Sequence, residues 1–319
     1  MNGNEMQGLY RWRSIKDRSL WEESFSNIEK SNLLQSWAYG EAKRKAQGWG
    51  IERIGIERNG DIVAICQILY KKFIGLPLLV RINRGPLIIS QVPLEERGSV
   101  LRLLRSILRL RWGVVFLIAP ELDSTPENAE LLKSSGWRLR NVKGVQSAWV
   151  DLRPDESALL KGLAPKWRNQ LNSATRSGLS IEVSSCSEEV GWLLQRHEEH
   201  MKQQRFVAPG YEFLSEFHRA DPQNFLVLRA VVANEPVAGV GIVKHGQAAT
   251  YLVGWSSLDG RNLNAGNFLL WHAMLQLRKL GCLWLDLGGI NEEQSPGVAR
   301  FKRGVRGLEY CLSGEWWSV

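Results

Sequence analysis

The sequence is poor in the groups from which common active sites are assembled. Its four cysteines, Cys66, Cys186, Cys282 and Cys311, show no CxxC spacing. Three of them lie in apolar strand-like segments where a thiol behaves as a small hydrophobe, so neither a disulfide framework nor a zinc knuckle follows. GxSxG, P-loop and GxGxxG patterns are absent, which argues against a serine hydrolase, an NTPase and a Rossmann dehydrogenase. His197 and His200 stand i, i+3 in RHEEHMK rather than in HExxH, with no third ligand set, and read as a solvated polar helix face. No uncharged apolar run is long enough to span a bilayer, and MNGNEMQGLYRWRSIKDRSLW lacks an apolar signal region. The expectation is a cytoplasmic protein with no integral membrane segment, acting as a monomer.

What is present bounds the answer from the other side. A chain of 319 residues exceeds one ordinary domain, and two domains of about 150 residues each are the natural division. A 44% hydrophobic content with 14 Trp supplies the apolar area that offsets chain entropy. Most of those rings are expected in core or interdomain packing. Lys and Arg total 41 against 33 Asp and Glu, a net charge of +8, which favours anionic partners such as RNA, nucleotide diphosphates or an anionic membrane face.

Along the chain, residues 33–48 read as a helix with Leu34 and Trp37 on an apolar side and Lys43, Arg44 and Lys45 near its end. Two strands joined at Asn59-Gly60 follow, that dipeptide being favoured in a type I′ hairpin. LLVRINRGPLII is a further strand, residues 93–112 form a basic amphipathic helix, VVFLIAPEL a buried strand, and PENAELLKSSGWRL a helix and closing turn. The helix of residues 93–112 carries Arg102, Arg105, Arg109 and Arg111; it reads either as an RNA or membrane-surface face or as a surface helix held by its leucines. The second half repeats this order: strand FLVLRAVVA, the turn Asn234-Glu235-Pro236, strand VAGVGIVKH, the turn His245-Gly246, strand ATYLVGWSS, a helix over 265–280, and strand CLWLDLGGI. This weak duplication at half the chain length means two similar α/β (α+β) domains, 1–145 and 146–319, each a mixed sheet flanked by helices.

The segment from Tyr251 to Gly307 carries most of the chemistry. One strand runs through Tyr251 and Gly254 into a polar loop and helix, and a second ends on Asp286, Gly288 and Gly289. Glycines there let backbone approach a ligand closely. GVARFKRGVRG then presents Phe301 and Lys302 among Arg300, Arg303 and Arg306. A fixed cation can stabilise the oxyanion that forms when an amine attacks an ester or thioester. The same lysine also reads as one member of a basic loop that binds RNA phosphates, and the two readings are compatible. Asp286 either orients a donor amine or serves as a turn residue.

LLQSWAYGEAK, KWRNQLNSATRSG, and DLGGI followed by FKRGV, in that order and spread over nearly the whole chain, resemble the Fem family of aminoacyl-tRNA-dependent transferases. The resemblance implies two tandem GNAT-like (acetyltransferase-fold) domains that move an amino acid from charged tRNA to an amine of a peptide-type acceptor, most often a peptidoglycan precursor. It implies no cofactor, aminoacyl-tRNA being the co-substrate. Phe301 and Lys302 match the pair that flanks the transferred aminoacyl group, and Lys43 matches a lysine on the acceptor's phosphate. Arg205 and Tyr211, in MKQQRFVAPGY, are candidates for a second phosphate contact. Trp37 and Arg84 fall on the acceptor side, whereas Tyr251, Gly254, Asp286, Arg300, Arg303 and Arg306 fall on the donor or tRNA side.

Two departures concern the acceptor. Relatives carry an acidic residue shortly after the Arg-Gly-Pro turn, where Arg84-Gly85-Pro86 here leads to Ser90, and an aromatic before the glycine equivalent to Gly254, where this chain has Val253. A natural-product intermediate is therefore an alternative acceptor. Two other readings remain. One is an acyl-CoA-dependent N-acyltransferase, for which Arg261-Asn262-Leu263-Asn264-Ala265-Gly266 is a degenerate pyrophosphate loop. The other is a non-catalytic RNA-binding protein.

Overall fold

The computed structural model describes residues 10–89, 92–204, 206 and 208–319. In chain order the first elements are β1 (Tyr10–Ser14), α1 (Arg18–Ser26), α2 (Trp37–Gln47), β2 (Gly50–Arg58), β3 (Asp61–Phe73), β4 (Leu76–Asn83), β5 (Leu87–Ile88), α3 (Leu94–Trp112), β6 (Phe116–Ala119), α4 (Pro126–Ser134) and β7 (Arg138–Leu139). Then come β8 (Gln146–Asp151), α5 (Glu156–Gly162), α6 (Pro165–Thr175), β9 (Ser180–Ser184), α7 (Ser187–Gln204), α8 (Tyr211–Ala220), β10 (Phe225–Val232), β11 (Glu235–His245) and β12 (Ala248–Ser256). The chain closes with α9 (Leu258–Asn262), α10 (Ala265–Lys279), β13 (Trp284–Asp286), α11 (Pro296–Arg303), β14 (Leu308–Cys311) and β15 (Trp316–Ser318).

The backbone divides into two units, 1–145 with 311–319, and 146–310. The final segment was expected in the second domain and instead belongs to the first. β15 pairs with both β6 and β7, and Trp316, 1% exposed, enters that core. The burial of one large ring decides where this strand goes.

In the first unit the strands run β1-β2-β3-β4-β6-β15-β7, with β5 beside β3. Ser36 caps α2 by accepting from the Tyr39 N–H, and Gly48 ends the helix in the left-handed region. Asn59 and Gly60 both have positive φ, as a type I′ turn between β2 and β3 requires. α3 lays Val100, Leu101, Leu104, Ile107 and Leu108 on Val80, Ile82, Phe116 and Ile118 of the sheet. Its apolar stripe is therefore core, while Arg109 and Arg111 are exposed and Arg105 donates to Ser318 Oγ at 2.6 Å.

In the second unit the order is β14-β8-β13-β12-β11-β10-β9. β10 turns into β11 at Ala233 and Asn234, both at positive φ, while Glu235 and Pro236 already pair with β10. The turn thus falls before the expected Asn234-Glu235-Pro236. α10 is buried along most of its length through Phe268, Leu269, Leu270, Ala273, Met274 and Leu277, which explains its apolar character on several faces. β12 and β13 run parallel, with Thr250 opposite Asp286, while β12 bulges at Leu252, between Tyr251 and Val253, opposite Ile242 and Gly241 of β11. Bulge and parallel pair together bring Tyr251 beside the turn that follows Asp286.

Candidate active site

Lys302 is not on a surface loop. Pro296 starts α11, and that helix turns Ala299 and Lys302 inward while Arg300 stays in solvent. Lys302 is only 5% exposed. Its Nζ donates to the carbonyl of Gly289 at 2.8 Å and to that of Gly288, and lies 5.1 Å from the centre of the Tyr251 ring. Gly288 and Gly289 have φ of +62° and +60°, a left-handed pair that aims both carbonyls at the ammonium. Burial pulls the pKa of Lys302 down to about 8, and the charge of Asp286 opposes that fall.

Asp286 is fully buried and accepts from Ser147 Oγ at 2.5 Å, Tyr310 Oη at 2.8 Å and the Gly288 N–H at 2.9 Å. It shapes the glycine turn and places a negative charge behind Lys302. Of the two roles the sequence offers Asp286, these contacts favour the turn residue.

Tyr251 is set by two glycines. A Cβ on Gly254 would lie 2.1 Å from its hydroxyl, and one on Gly288 would lie 2.1 Å from its carbonyl oxygen. Burial pushes the Tyr251 pKa up to about 12, so the phenol stays neutral. Phe301 stacks on Trp167 at 6.1 Å, and the Trp167 indole N–H donates to the Phe301 carbonyl at 3.1 Å. The other edge of the Phe301 ring faces the first turn of α10, where a Cβ on Gly266 would stand 3.7 Å away. An aromatic platform, a buried cation and a pair of carbonyl-turning glycines thus meet at one end of the β12–β13 pair.

The neighbouring arginines divide. Arg300 and Arg306 are exposed, whereas Arg303 pairs with Glu292 at 2.6 Å and with Glu309 at 3.2 Å. Among the described residues, Arg300 and Arg306 have no carboxylate partner to neutralise their charge.

A family model described as an acetyltransferase (GNAT) domain matches residues 165–303, the stretch that contains this cluster. Lipid II:glycine glycyltransferase of Staphylococcus aureus is 26% identical over 165 residues, which is 48% of this chain and 39% of the relative. The chain therefore spans well under half the length of the curated relatives it matches. The crystal structure of FemX superposes with a TM-score of 0.80 at 16% identity, covering 96% of each chain. The chain shares the fold of FemX. A tandem GNAT protein from the clavulanic acid biosynthesis pathway shares the fold more distantly, with a TM-score of 0.55 at 11% identity over 97% of this chain and 98% of that one. The Fem-like fold is thus two GNAT-like domains in tandem, with mixed sheets flanked by helices.

In the first unit, Lys43 is half-buried on α2, donates to Gln47 Oε1 at 2.8 Å and lies 5.4 Å from the Tyr39 ring. Burial lowers its pKa, and the nearby cations Arg81 and Lys71 lower it further. Arg81 is itself paired with Glu315, so the setting for an anion rests on Lys43 and Lys71. Trp37 lines an open cavity of about 400 Å³ with Arg53 and Tyr70, and the Arg53 guanidinium stacks 3.6 Å above its ring. Arg84 is 7% exposed and held by two Glu121 oxygens at 2.6 and 2.7 Å. Its charge is satisfied inside the fold by Glu121, which argues for a structural part on the acceptor side.

In the second unit Tyr211 opens α8 and leans toward α7, its hydroxyl 3.8 Å from where a Cβ on Gly191 would stand. Arg205 and Ser90 lie outside the described residues. His197 is 5% exposed and, with His200, packs edge-on against Phe206. The expected solvated helix face is therefore partly core, and both histidines are held below their ordinary pKa by burial.

Ser147, Trp167 and Tyr310 were not foreseen as parts of the site. Ser147 and Tyr310 meet Asp286 across 139 and 24 residues, and nothing local marks such long-range partners. Trp167 stands in the quoted KWRNQ segment, and its spacing to Phe301 becomes meaningful only once α6 and α11 are known to touch.

Proposed function

We propose that this protein is an aminoacyltransferase that moves an amino acid from aminoacyl-tRNA to an amine of a peptide-type acceptor, a peptidoglycan precursor in the first instance. The observation that carries the reading is the buried Lys302 ammonium, tied to Gly288 and Gly289 beside the Phe301 and Tyr251 rings. An ammonium has three N–H groups. Two are taken by backbone carbonyls, which fixes the cation and leaves the third for an oxyanion. In the reaction the acceptor amine attacks the ester carbonyl, the C–N bond forms, and the bond to the ribose 3′-oxygen breaks. The amine proton passes to that leaving oxygen. Lys302 stabilises the negative charge on the carbonyl oxygen in between, an interaction absent from the ground state and therefore catalytic. The ester is already activated, so no ATP enters.

Arg300 and Arg306 are the exposed cations offered to tRNA phosphates, and Lys43 with its neighbouring cations is the candidate for the acceptor's phosphate. The name of the Staphylococcus aureus relatives, lipid II:glycine glycyltransferase, supports a peptidoglycan precursor as the acceptor class. A cytoplasmic setting follows from the donor, since charged tRNA is found there. The test is transfer of labelled amino acids from total charged tRNA to a panel of peptide amines, with and without RNase. RNase-sensitive label in an amide product supports the proposal. RNase-resistant transfer that requires acetyl-CoA replaces it with the acyl-CoA reading, which the GNAT family match favours.

A further inference from the structure

One end of the first unit's sheet carries apolar side chains in water with cations around them. The β3–β4 turn presents Ile74, 86% exposed, and the start of β4 presents Leu78, 67% exposed. Two further exposed residues belong to the same end. Trp112 at the close of α3 packs against Tyr70 at 4.4 Å, and Tyr70 sits near the turn end of β3, which places the last turn of α3 with Leu110, 87% exposed, there too. β6 runs parallel to β4 with Phe116 opposite Val80, so Val115 also emerges at this end, 47% exposed.

The charges nearby are of one sign or already balanced. Lys71 lies over the Trp49 ring and donates to the Gln47 carbonyl, and Lys72 lies over the Tyr70 ring. Arg109 is exposed, and Arg111 pairs with Glu52 at 2.9 Å. Ile74 has a φ of +48°, a conformation that disfavours a β-branched residue and suits Asn or Gly. A turn residue that fits its backbone poorly and stands 86% exposed in water is suited to contact with something apolar.

We propose that this end docks on an anionic phospholipid bilayer, with Ile74 and Leu78 entering the headgroup–acyl boundary and Lys71, Lys72 and Arg109 on the lipid phosphates. The ordering of apolar tip, then lysines over aromatic rings, matches the depth profile of a membrane interface. An RNA surface would instead call for stacking rings at the tip, and Ile74 and Leu78 offer none. The docking is measured without the transfer reaction, although Lys71 also borders the Lys43 setting.

The experiment is sedimentation of the full-length protein with sucrose-loaded vesicles, either phosphatidylcholine alone or phosphatidylcholine with about a third phosphatidylglycerol, an anionic surface of the kind that attracts basic segments. Wild type is expected to bind the anionic vesicles and to be released by high salt. Ile74→Asn suits the left-handed backbone, so it keeps the fold while removing the apolar tip; binding is expected to fall about tenfold. Lys72→Ala is expected to weaken binding about fivefold. Vesicle binding that is absent in wild type, or unchanged in a folded Ile74→Asn protein, overturns the proposal. So does loss of binding only with the cations, accompanied by equal competition from tRNA, which would make this end a nucleic-acid face.

Discussion

The low pKa of Lys302 gives a stability prediction that runs opposite to that of a surface lysine. An unfolded chain keeps this proton up to about 10.5, and the folded protein only up to about 8. Between those values the unfolded state binds more proton, so stability rises with pH across that window and carries the full cost of the buried charge below it. The gap corresponds to about 3 kcal/mol, of which about 2 kcal/mol is recovered between pH 7 and pH 10. Tyr10, Tyr39 and Tyr251, all raised to about 12, act in the opposite sense above pH 10, and they are common to any Lys302 variant. The assay is urea unfolding followed by fluorescence at pH 7 and pH 10, for wild type and Lys302→Met. Wild type is expected to gain about 2 kcal/mol more than the variant over that range. Equal pH dependence in the two proteins would refute the placement of a charged lysine in this pocket. The same value sets the rate: if the ammonium is the catalytic form, kcat/KM falls as pH rises through about 8. A rise there would make the neutral amine a base instead.

Three further predictions follow from the surroundings. Gly254→Ala puts a methyl 2.1 Å from the Tyr251 hydroxyl, so Tyr251 must shift; about 1–3 kcal/mol of stability is lost, read by thermal unfolding, along with transfer activity. Tyr310→Phe removes a 2.8 Å hydrogen bond to the buried Asp286, with a cost of about 1.5–3 kcal/mol and a changed pH for the Lys302 transition. Arg84→Met strands Glu121 beside Asn32 and is expected to cost about 3–5 kcal/mol in denaturant unfolding, while a role limited to phosphate binding would leave stability unchanged.

Much of this was legible in the chain itself, for identifiable reasons. Asn59-Gly60, the 3.6-residue leucine stripe of α3 and the glycine pair after Asp286 are local signals, and each yields the element expected of it. β1 and β9 are not legible, because strands such as Tyr10–Ser14 are mostly polar and acquire their state only by pairing with a neighbour, whereas α1 and α8 do carry apolar faces, through Trp21 and Phe25 and through Phe213, Leu214 and Phe217. Lys302 was picked out by residue type and company, but its burial was not. A stretch with lysine and arginines at Arg300, Lys302 and Arg303 reads as solvated, and only the helical phase of α11 separates the inward lysine from the outward arginines. Arg84 shows the converse. It looked available in sequence because its partner Glu121 is 37 residues away, and a bidentate ion pair over that span leaves no local trace.

The central claim is tested most directly by single-turnover transfer from purified, labelled aminoacyl-tRNA to a peptidoglycan-precursor amine, comparing wild type with Lys302→Met. Amide product that disappears with RNase is expected, with a rate lowered by about 10²–10³ in the variant, the loss typical of one oxyanion donor. Transfer at an undiminished rate by a folded Lys302→Met protein, or product that forms only with an acyl-CoA donor, would contradict it.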